Sequence, residues 1–578
     1  METFNQLRKN LKSKTTDFKV IKLALLSDNS DAFIAEAIKA SGIKNKLLID
    51  IYNSNFDQID MNILVEESKL YEFKPDFVYI NFSTQKILEK FYQSSLKDRN
   101  KFNKVFILHL NNLINRVFNK TNSKIFINNF NEIDDKVFGN LSNKTTNSFL
   151  YQLRKINFLL METAQKKTDL FIIDFLSLQI QLGNKNVISR RLYLNTSMSY
   201  KIDFIPYISK AIVDVILSNI GYFNKCLILD LDNTLWGGVI GDDGLSNIEL
   251  GETAIGRSYS EFQRWILELK NRGIILCVCS KNDIENAIKP FKNHPNMLIK
   301  KSDISIFIAN WDEKTKNIKK IKSLLNIDYN SIVFIDDNPL ERDLAKLKIP
   351  SLTVPNLPKD PAEYLPYLKS LNLFETNTFD EDDKNRNQYY IEEIKRDELK
   401  INFKTQNEYL KHLKMESSLI NLKQSNINRV YQLLMRTNQF NMTDRRYSIK
   451  DLNTFINKKN LYNINFDLKD RYGNYGIVSS VFLKRVKNIF YIENWIMSCR
   501  VFNRQFETFI IKQIIFLTSK EGGRKIIGNY IETKKNRLIK NLYKKMKFNP
   551  IKSKWELEIK NKLIFDSQIK LKEIDEIF

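Results

Sequence analysis

Four apolar residues, Cys226-Leu227-Ile228-Leu229, run straight into Asp230-Leu231-Asp232-Asn233-Thr234, and this junction limits the fold more than any other stretch. A short, wholly apolar run suits a strand buried on both faces, the habit of parallel sheets covered by helices. In such sheets ligands bind beyond the carboxyl ends of the strands, which is where the two carboxylates fall. One can attack phosphorus or hold Mg²⁺ while the other moves a proton. Read alone, the pair is equally compatible with a solvated acidic turn; residues further along the chain decide.

Those residues follow in order. A helix is expected over 258–272, then a strand over 274–279 ending in Ser280-Lys281-Asn282-Asp283. Asn310-Trp311-Asp312 precede Lys314, which opens a helix over 314–325. A strand over 332–335 ends in Asp336-Asp337-Asn338-Pro339. Carboxylate pair, hydroxyl, lysine and carboxylate pair are the set a phosphoryl-transfer site needs. Asp230 is the expected nucleophile and Asp232 the general acid, then base. Thr234 and Ser280 are expected to hydrogen-bond the phosphoryl oxygens, and Lys314 to neutralise them. Mg²⁺ would sit among Asp230, the Asp232 backbone carbonyl and the Asp336-Asp337 pair. One of that last pair would bind the metal and the other orient Lys314; the sequence leaves open which. Asn233, Gly237, Gly238, Lys281 and Asn282 are candidate substrate contacts. The glycines at 237, 238, 241 and 244 suit a hairpin flap beside the nucleophile. The intervals between motifs are too short for a large cap domain, so the site is expected to stand open and to need a partner or bulky substrate to exclude water.

The stretches KCLILDLDNTLWGGVIGDDG, CSKND, NWDEK and FIDDNPLERD resemble subfamily IIIC of the haloacid dehalogenase superfamily, the FkbH-like proteins. RTNQFNMTDRRYS (436–448), DRYGNYGIVS (470–479) and MSCRVFNRQFE (497–507) are similar to that family's carboxyl third. The resemblance implies an α/β protein of three domains and an activity that dephosphorylates 1,3-bisphosphoglycerate and loads the glyceryl unit onto an acyl carrier protein. Glyceryl-loading members often carry Cys between the two aspartates, where this chain has Leu231; Cys226 and Cys499 are the remaining candidates to carry an acyl group. A plain phosphatase acting on a phosphorylated small molecule is the alternative. The carboxyl third is expected to take a GNAT-type acyltransferase fold, although the Q/R-x-x-G-x-G/A pyrophosphate loop is missing and Gly522-Gly523-Arg524 is the nearest approach to it. Asn438, Gln439, Arg446, Asp470, Cys499 and Arg500 are its candidate binding residues.

The amino-terminal third reads as a doubly wound parallel sheet, with strands at 20–26, 46–52, 76–82, 104–110, 124–129 and 169–176 and helices such as 30–40 and 152–166. Ser27-Asp28-Asn29-Ser30, after the first strand, resembles the first block of SGNH hydrolases. A nucleophilic serine needs a base. The one histidine here, His109, lies in the strand-like run VFILHL, and no D-x-x-H precedes residue 220. The reading is an SGNH-like fold without a triad, serving docking or substrate shaping.

The expected boundaries are 1–215, 216–370, a linker over 371–400 and 401–578, with five prolines between 350 and 366 marking the exit from the second domain. The acidic run 380–383 reads as a solvated helix start. In the last domain, helices are expected at 427–434 and 506–517 and a strand pair at 475–483 and 488–495. The chain has 91 Lys+Arg against 67 Asp+Glu, a net charge of +24. A basic nucleic-acid-binding module is the third alternative, but the lysines are spread along the chain and no zinc-finger, RNP or basic-helix pattern focuses them. Cys226, Cys277, Cys279 and Cys499 lack disulfide or zinc spacing, which suits a reducing compartment. With no apolar signal core at the start and no run long enough to span a bilayer, a cytoplasmic location away from membranes is expected.

Overall fold

Short runs of β-branched and apolar residues lay down five parallel strands near the amino terminus: β1 (Lys19–Ser27), β2 (Leu47–Asn53), β3 (Phe77–Asn81), β4 (Lys124–Asn128) and β5 (Leu170–Ile173). They are ordered β2-β1-β3-β4-β5, so the chain reverses direction across the sheet beside β1. The computed structural model describes residues 2–379, 381–384, 386–400, 402–502, 504–559 and 565–575. It divides into two units, Met1–Leu217 with Ser448–Asp451, and Ser218–Tyr447 with Leu452–Phe578.

One expected strand of the first unit is wrong. Residues 104–110 lie inside a helix, Phe102–Lys120, whose buried residues Phe102, Phe106, Ile107, Leu110, Leu113, Ile114 and Val117 recur every three or four positions. The apolar run that resembled a strand is one face of this helix, with Val105 and Leu108 exposed on the other. His109 therefore leaves the sheet altogether and pairs with Asp60, Nε2 to Oδ1 at 3.1 Å.

The Ser27–Ser30 turn ties loop ends together. Ser27 Oγ accepts hydrogen bonds from Asn81 Nδ2 and the Asn29 amide, and Asp28 Oδ1 accepts one from the Ser83 amide at 2.8 Å. Burial pushes the Asp28 carboxyl up to about 7, against the pull of those hydrogen bonds. The folded protein thus keeps a proton that the unfolded chain releases near 3.8. The stability this proton supplies is full below that lower value and is lost as the pH rises through about 7. Asp28→Asn should therefore melt near the wild type in acid and increasingly above it toward pH 8. Calorimetry of the full chain reads the gap, and one that does not widen with pH would reject this account.

The second unit opens with a four-stranded parallel sheet, β6 (Cys226–Leu229), β7 (Ile275–Ser280), β8 (Ile306–Ala309) and β9 (Ile332–Ile335), in the order β8-β7-β6-β9. Both faces are covered. Leu227 and Leu229 pack with Phe262 and Ile266 of helix Ala254–Asn271. Cys226, Ile228, Cys277 and Cys279 pack with Ile318 and Ile321 of helix Lys314–Leu325. The cysteines therefore serve as small buried apolar groups.

The chain stays in this core through the last of the five prolines. Helix Tyr364–Ser370 contains Pro366, and its Tyr364 and Leu368, with Phe374 after it, are buried there. Of the acidic run expected as a solvated helix start, Asp380 lies outside the described residues and Asp383 is not solvated. Within its described part Asp383 is 1% exposed and pairs with Arg386 and Arg436, the second of which no local pattern in the sequence announces.

The remainder forms an eight-stranded sheet in the order β15-β16-β14-β13-β12-β11-β10-β17. Its strands are β10 (Glu416–Asn421), β11 (Leu461–Asp470), β12 (Gly473–Val486), β13 (Ile489–Met497), β14 (Lys525–Gly528), β15 (Asn549–Ile551), β16 (Lys554–Glu558) and β17 (Lys570–Ile574). Pairing is antiparallel except for β13–β14 and β10–β17. Helix Phe506–Lys520 makes the crossover between the parallel neighbours β13 and β14. No described helix is long and apolar enough to cross a membrane.

Candidate active site

Each strand end of the β6–β9 sheet delivers one part of a polar pocket of about 200 Å³. Asp230 follows β6, its amide held by the Ile335 carbonyl of β9 at 3.0 Å. Ser280 ends β7 and lines the pocket with Lys281. Lys314 begins its helix with a side chain only 5% exposed, and its Nζ lies 2.7 Å from Asp230 Oδ2 and 2.6 Å from Asp336 Oδ2. Asp336 thus holds the lysine and, together with Asp337, also has a carboxylate oxygen within reach of a shared cation. Burial acts to lower the Lys314 pKa, but the carboxylates of Asp230 and Asp336 more than offset it and the net shift is upward. Burial, then the charge of Asp230, pushes Asp336 up to about 7 and Asp337 up to about 6.

Asp232 is fixed as a proton carrier should be. Its Oδ1 accepts from Trp236 Nε1 and the Ile240 amide, both at 3.0 Å, and its Oδ2 from Asn282 Nδ2 at 2.8 Å. Burial raises its pKa and Asp230 adds to the effect, which favours the protonated form that a general acid needs.

Several expected contacts take other roles. Thr234 is fully buried and its Oγ1 accepts the Asp337 amide at 3.2 Å, so it positions the acid pair and is absent from the pocket lining. Asn233, which does line the pocket, adopts a left-handed backbone with φ 53°. Its Oδ1 accepts the Gly238 amide. Gly238 itself has φ +93°, and a Cβ there would meet Asp243 Oδ2 at 2.6 Å. In place of a hairpin flap, Gly237 makes a single bridge to Glu249 and residues Ile240–Asp243 form one helical turn. Gly237, Gly238 and Asn282 shape the pocket from behind its lining.

The sequence did not single out four residues that the structure brings in. Asn338 caps helix Pro339–Lys348 and donates its amide to Asp336 Oδ1 at 2.9 Å; the Asn-Pro pair is a helix-start signal that could have found it. Arg342, one turn on, donates to the backbone carbonyls of Asp336 and Asp337. Glu341 lines the pocket and pairs with Lys281 at 2.6 Å. Tyr364 donates its hydroxyl to the Asn233 carbonyl at 3.2 Å.

The residues present suit a divalent cation. Asp230, Asp336 and Asp337 each place one carboxylate oxygen within 4.8 Å of the others, and Asp230 Oδ1 is buried with no hydrogen-bond partner. Oxygen-only ligands are those of Mg²⁺. The Asp232 side chain, turned toward Trp236 and Asn282, stands outside that trio.

The candidates of the carboxyl part separate into two groups. Asp470 is saturated by Arg396, Arg504, Tyr475 and the Tyr472 and Gly473 amides, which leaves a ligand no access. Asn438 bridges the Gly221 carbonyl and Arg446, whose other bonds go to the Leu434 and Thr437 carbonyls. These three brace the fold. Gln439, Cys499 and Arg500 line a second cavity, which Asn438 also borders. Cys226 is fully buried, 3.8 Å from the Cys277 sulfur.

A parallel sheet with an aspartate nucleophile position, a buried lysine and an acid pair at its strand ends defines a haloacid-dehalogenase-type phosphatase fold. The known proteins similar to this chain agree. The N-terminal part of the protein BF1531 from Bacteroides fragilis, containing a phosphatase domain and crystallised with Mg, is 39% identical at a TM-score of 0.64 and covers 66% of this chain and 100% of that one. A HAD-like hydrolase superfamily protein of Schizosaccharomyces pombe is 26% identical over 166 residues, 26% of this chain and 94% of that protein. The model of the FkbH N-terminal domain matches residues 22–217. The ribosomal-protein-S18-alanine N-acetyltransferase of Escherichia coli aligns with 26% of this chain at 14% identity and a TM-score of 0.20, too slight a likeness to define a fold. The chain belongs to the FkbH-like family of the haloacid dehalogenase superfamily.

Proposed function

We propose that this protein is a Mg²⁺-dependent phosphoryl-transfer enzyme that removes phosphate from a small acyl phosphate, such as 1,3-bisphosphoglycerate, and delivers the acyl unit to an acyl carrier protein. The observation that carries the phosphoryl-transfer part is Lys314 held between Asp230 and Asp336 beneath an open pocket. In this reading Asp230 Oδ1, which no protein donor occupies, faces the phosphorus. The ammonium of Lys314 and the Ser280 hydroxyl take the charge of the phosphoryl oxygens. Asp232, whose protonated form burial favours, gives its proton to the leaving oxygen and then takes one from the attacking water. Mg²⁺, held by Asp230, Asp336 and Asp337, would neutralise the phosphoryl charge when bound.

The acyl part rests on the family resemblance and sets a chemical requirement. Attack by Asp230 on phosphorus breaks the P–O bond and releases the acyl group as a carboxylate. Acyl transfer instead needs a thiolate to attack the carbonyl carbon and break its bond to the acyl phosphate, which leaves as phosphate; Asp230 then acts on the remaining 3-phosphate ester, whose P–O cleavage turns the 3-phosphoglyceryl unit into a glyceryl one. Leu231 is fully buried in the core, and neither of the candidate carriers Cys226 and Cys499, nor Cys279, lines the pocket. The acyl acceptor is then the carrier's own thiol. The lack of a protein thiol equally favours a second reading, a plain phosphatase on a phosphorylated metabolite. The amino-terminal unit, a parallel sheet in the order β2-β1-β3-β4-β5 whose one histidine pairs with Asp60 away from the strand ends, is assigned to docking the carrier or shaping the substrate.

Mass spectrometry after incubation with Mg²⁺, 1,3-bisphosphoglycerate and a phosphopantetheinylated carrier protein separates the readings. A glyceryl adduct on the carrier is expected. Phosphate release without an adduct would leave the phosphatase, and neither product would reject both.

A further inference from the structure

We propose that a cationic recess at the amino-terminal edge of the β6–β9 sheet binds the phosphoryl group of a small phosphate ester. The recess is separate from the Asp230 pocket, and its occupancy does not depend on the chemistry assigned there. Lys225, immediately before β6, lies in its wall, and the five steps from Lys225 to Asp230 span roughly 16 Å of extended chain.

Five cations line this recess, Lys225, Arg386, Arg429, Arg436 and Arg500, against a single lining carboxylate, Asp328. Asp383, behind the wall, pairs with Arg386 and Arg436. Among the described residues no carboxylate pairs with Lys225 or Arg500. Lys225 Nζ donates to the Arg436 carbonyl at 3.2 Å, and Arg500 Nε to Ser498 Oγ at 3.2 Å, so both charges are anchored without being neutralised. Burial pushes Lys225 down to about 8 and lowers Arg500, with Arg429 adding to the latter. Enclosed cations of one sign are costly unless an anion joins them. Guanidinium forks match phosphate oxygens, and a phosphoryl group near neutral pH carries close to two charges, which suits this excess.

Size limits the ligand further. The recess holds about 90 Å³, enough for one phosphoryl group and too little for a nucleotide. Asn326, Tyr390, Phe440, Cys499 and Arg500 also line a neighbouring vestibule of about 380 Å³, to whose wall Leu538 and Leu542 contribute. The vestibule would take the body of the ester.

Cys499 lies in the wall shared by both cavities, and the other three cysteines are buried. Its alkylation by iodoacetamide in the full-length protein, followed by peptide mass spectrometry, reports occupancy directly. At saturation, glycerol phosphate should slow the reaction about fivefold or more compared with chloride at equal ionic strength. Inorganic phosphate tests whether the phosphoryl group suffices: equal protection assigns the recess to free phosphate, and weaker protection assigns the vestibule to the ester's body. Arg500→Ala, and separately Lys225→Met, should abolish protection by either. Equal labelling rates in chloride and both phosphates would overturn the proposal, as would full protection in both variants.

Discussion

Asp230→Asn should cut phosphate release on the order of 10⁴-fold, with the protein folded and its melting temperature changed little. The amide keeps the shape of the carboxylate and can still accept from Lys314, but it cannot attack phosphorus. The size of the effect follows from where the side chain stands. Asp230 is 6% exposed, with Oδ2 on Lys314 and Oδ1 without a protein partner, so no neighbouring carboxylate can replace it without moving. Phosphate release measured at saturating Mg²⁺ and substrate checks this. Activity within tenfold of the wild type would remove Asp230 from the chemistry and with it the assigned mechanism.

Lys314→Met should act on both rate and stability. The methionine fills much of the same space but leaves Asp230 and Asp336 facing each other in a buried site without their shared cation. Removing one partner of a buried ion pair costs about 3–5 kcal/mol, and losing a charge aimed at the transition state costs on the order of 10²–10³ in rate. Burial and Asp230 already hold Asp336 near 7 with the lysine present; without it Asp336 rises further and takes up a proton more readily. In metal-free buffer the variant's stability deficit should therefore be smaller at pH 5 than at pH 8, since the protonated acids no longer repel. Urea unfolding at the two pH values reads this, and an equal deficit at both would mean that Lys314 does not hold the carboxylates as described.

What the sequence made legible follows from how local each cause is. β6 and β9 are four-residue apolar runs, and helix Lys314–Leu325 has unbroken helical spacing, so these elements and the acids and lysine at their ends stand out from neighbouring residues alone. Residues 104–110 misled because VFILHL, taken by itself, is as apolar as a strand; only the extension to Lys120 shows the helical period. Asp383 and Asp470 resemble solvent or ligand groups because the arginines that bury them come from distant parts of the chain. Arg342 gave no signal of its own, since its bonds go to the backbone carbonyls of Asp336 and Asp337. The swap of Thr234 from phosphate contact to brace was hidden for the same reason, as its partner is the Asp337 amide.

Helix Tyr364–Ser370 has a consequence for anyone dissecting the molecule. The prolines ahead of this helix, Pro350 to Pro361, look like a natural place to cut, yet severing the chain there would strip Tyr364, Leu368 and Phe374 from the interior they help fill and release the phenol that props the loop after the nucleophile. A fragment ending at the prolines would keep every reactive group and still lose its footing, so a dead truncation there would say nothing against the catalytic residues.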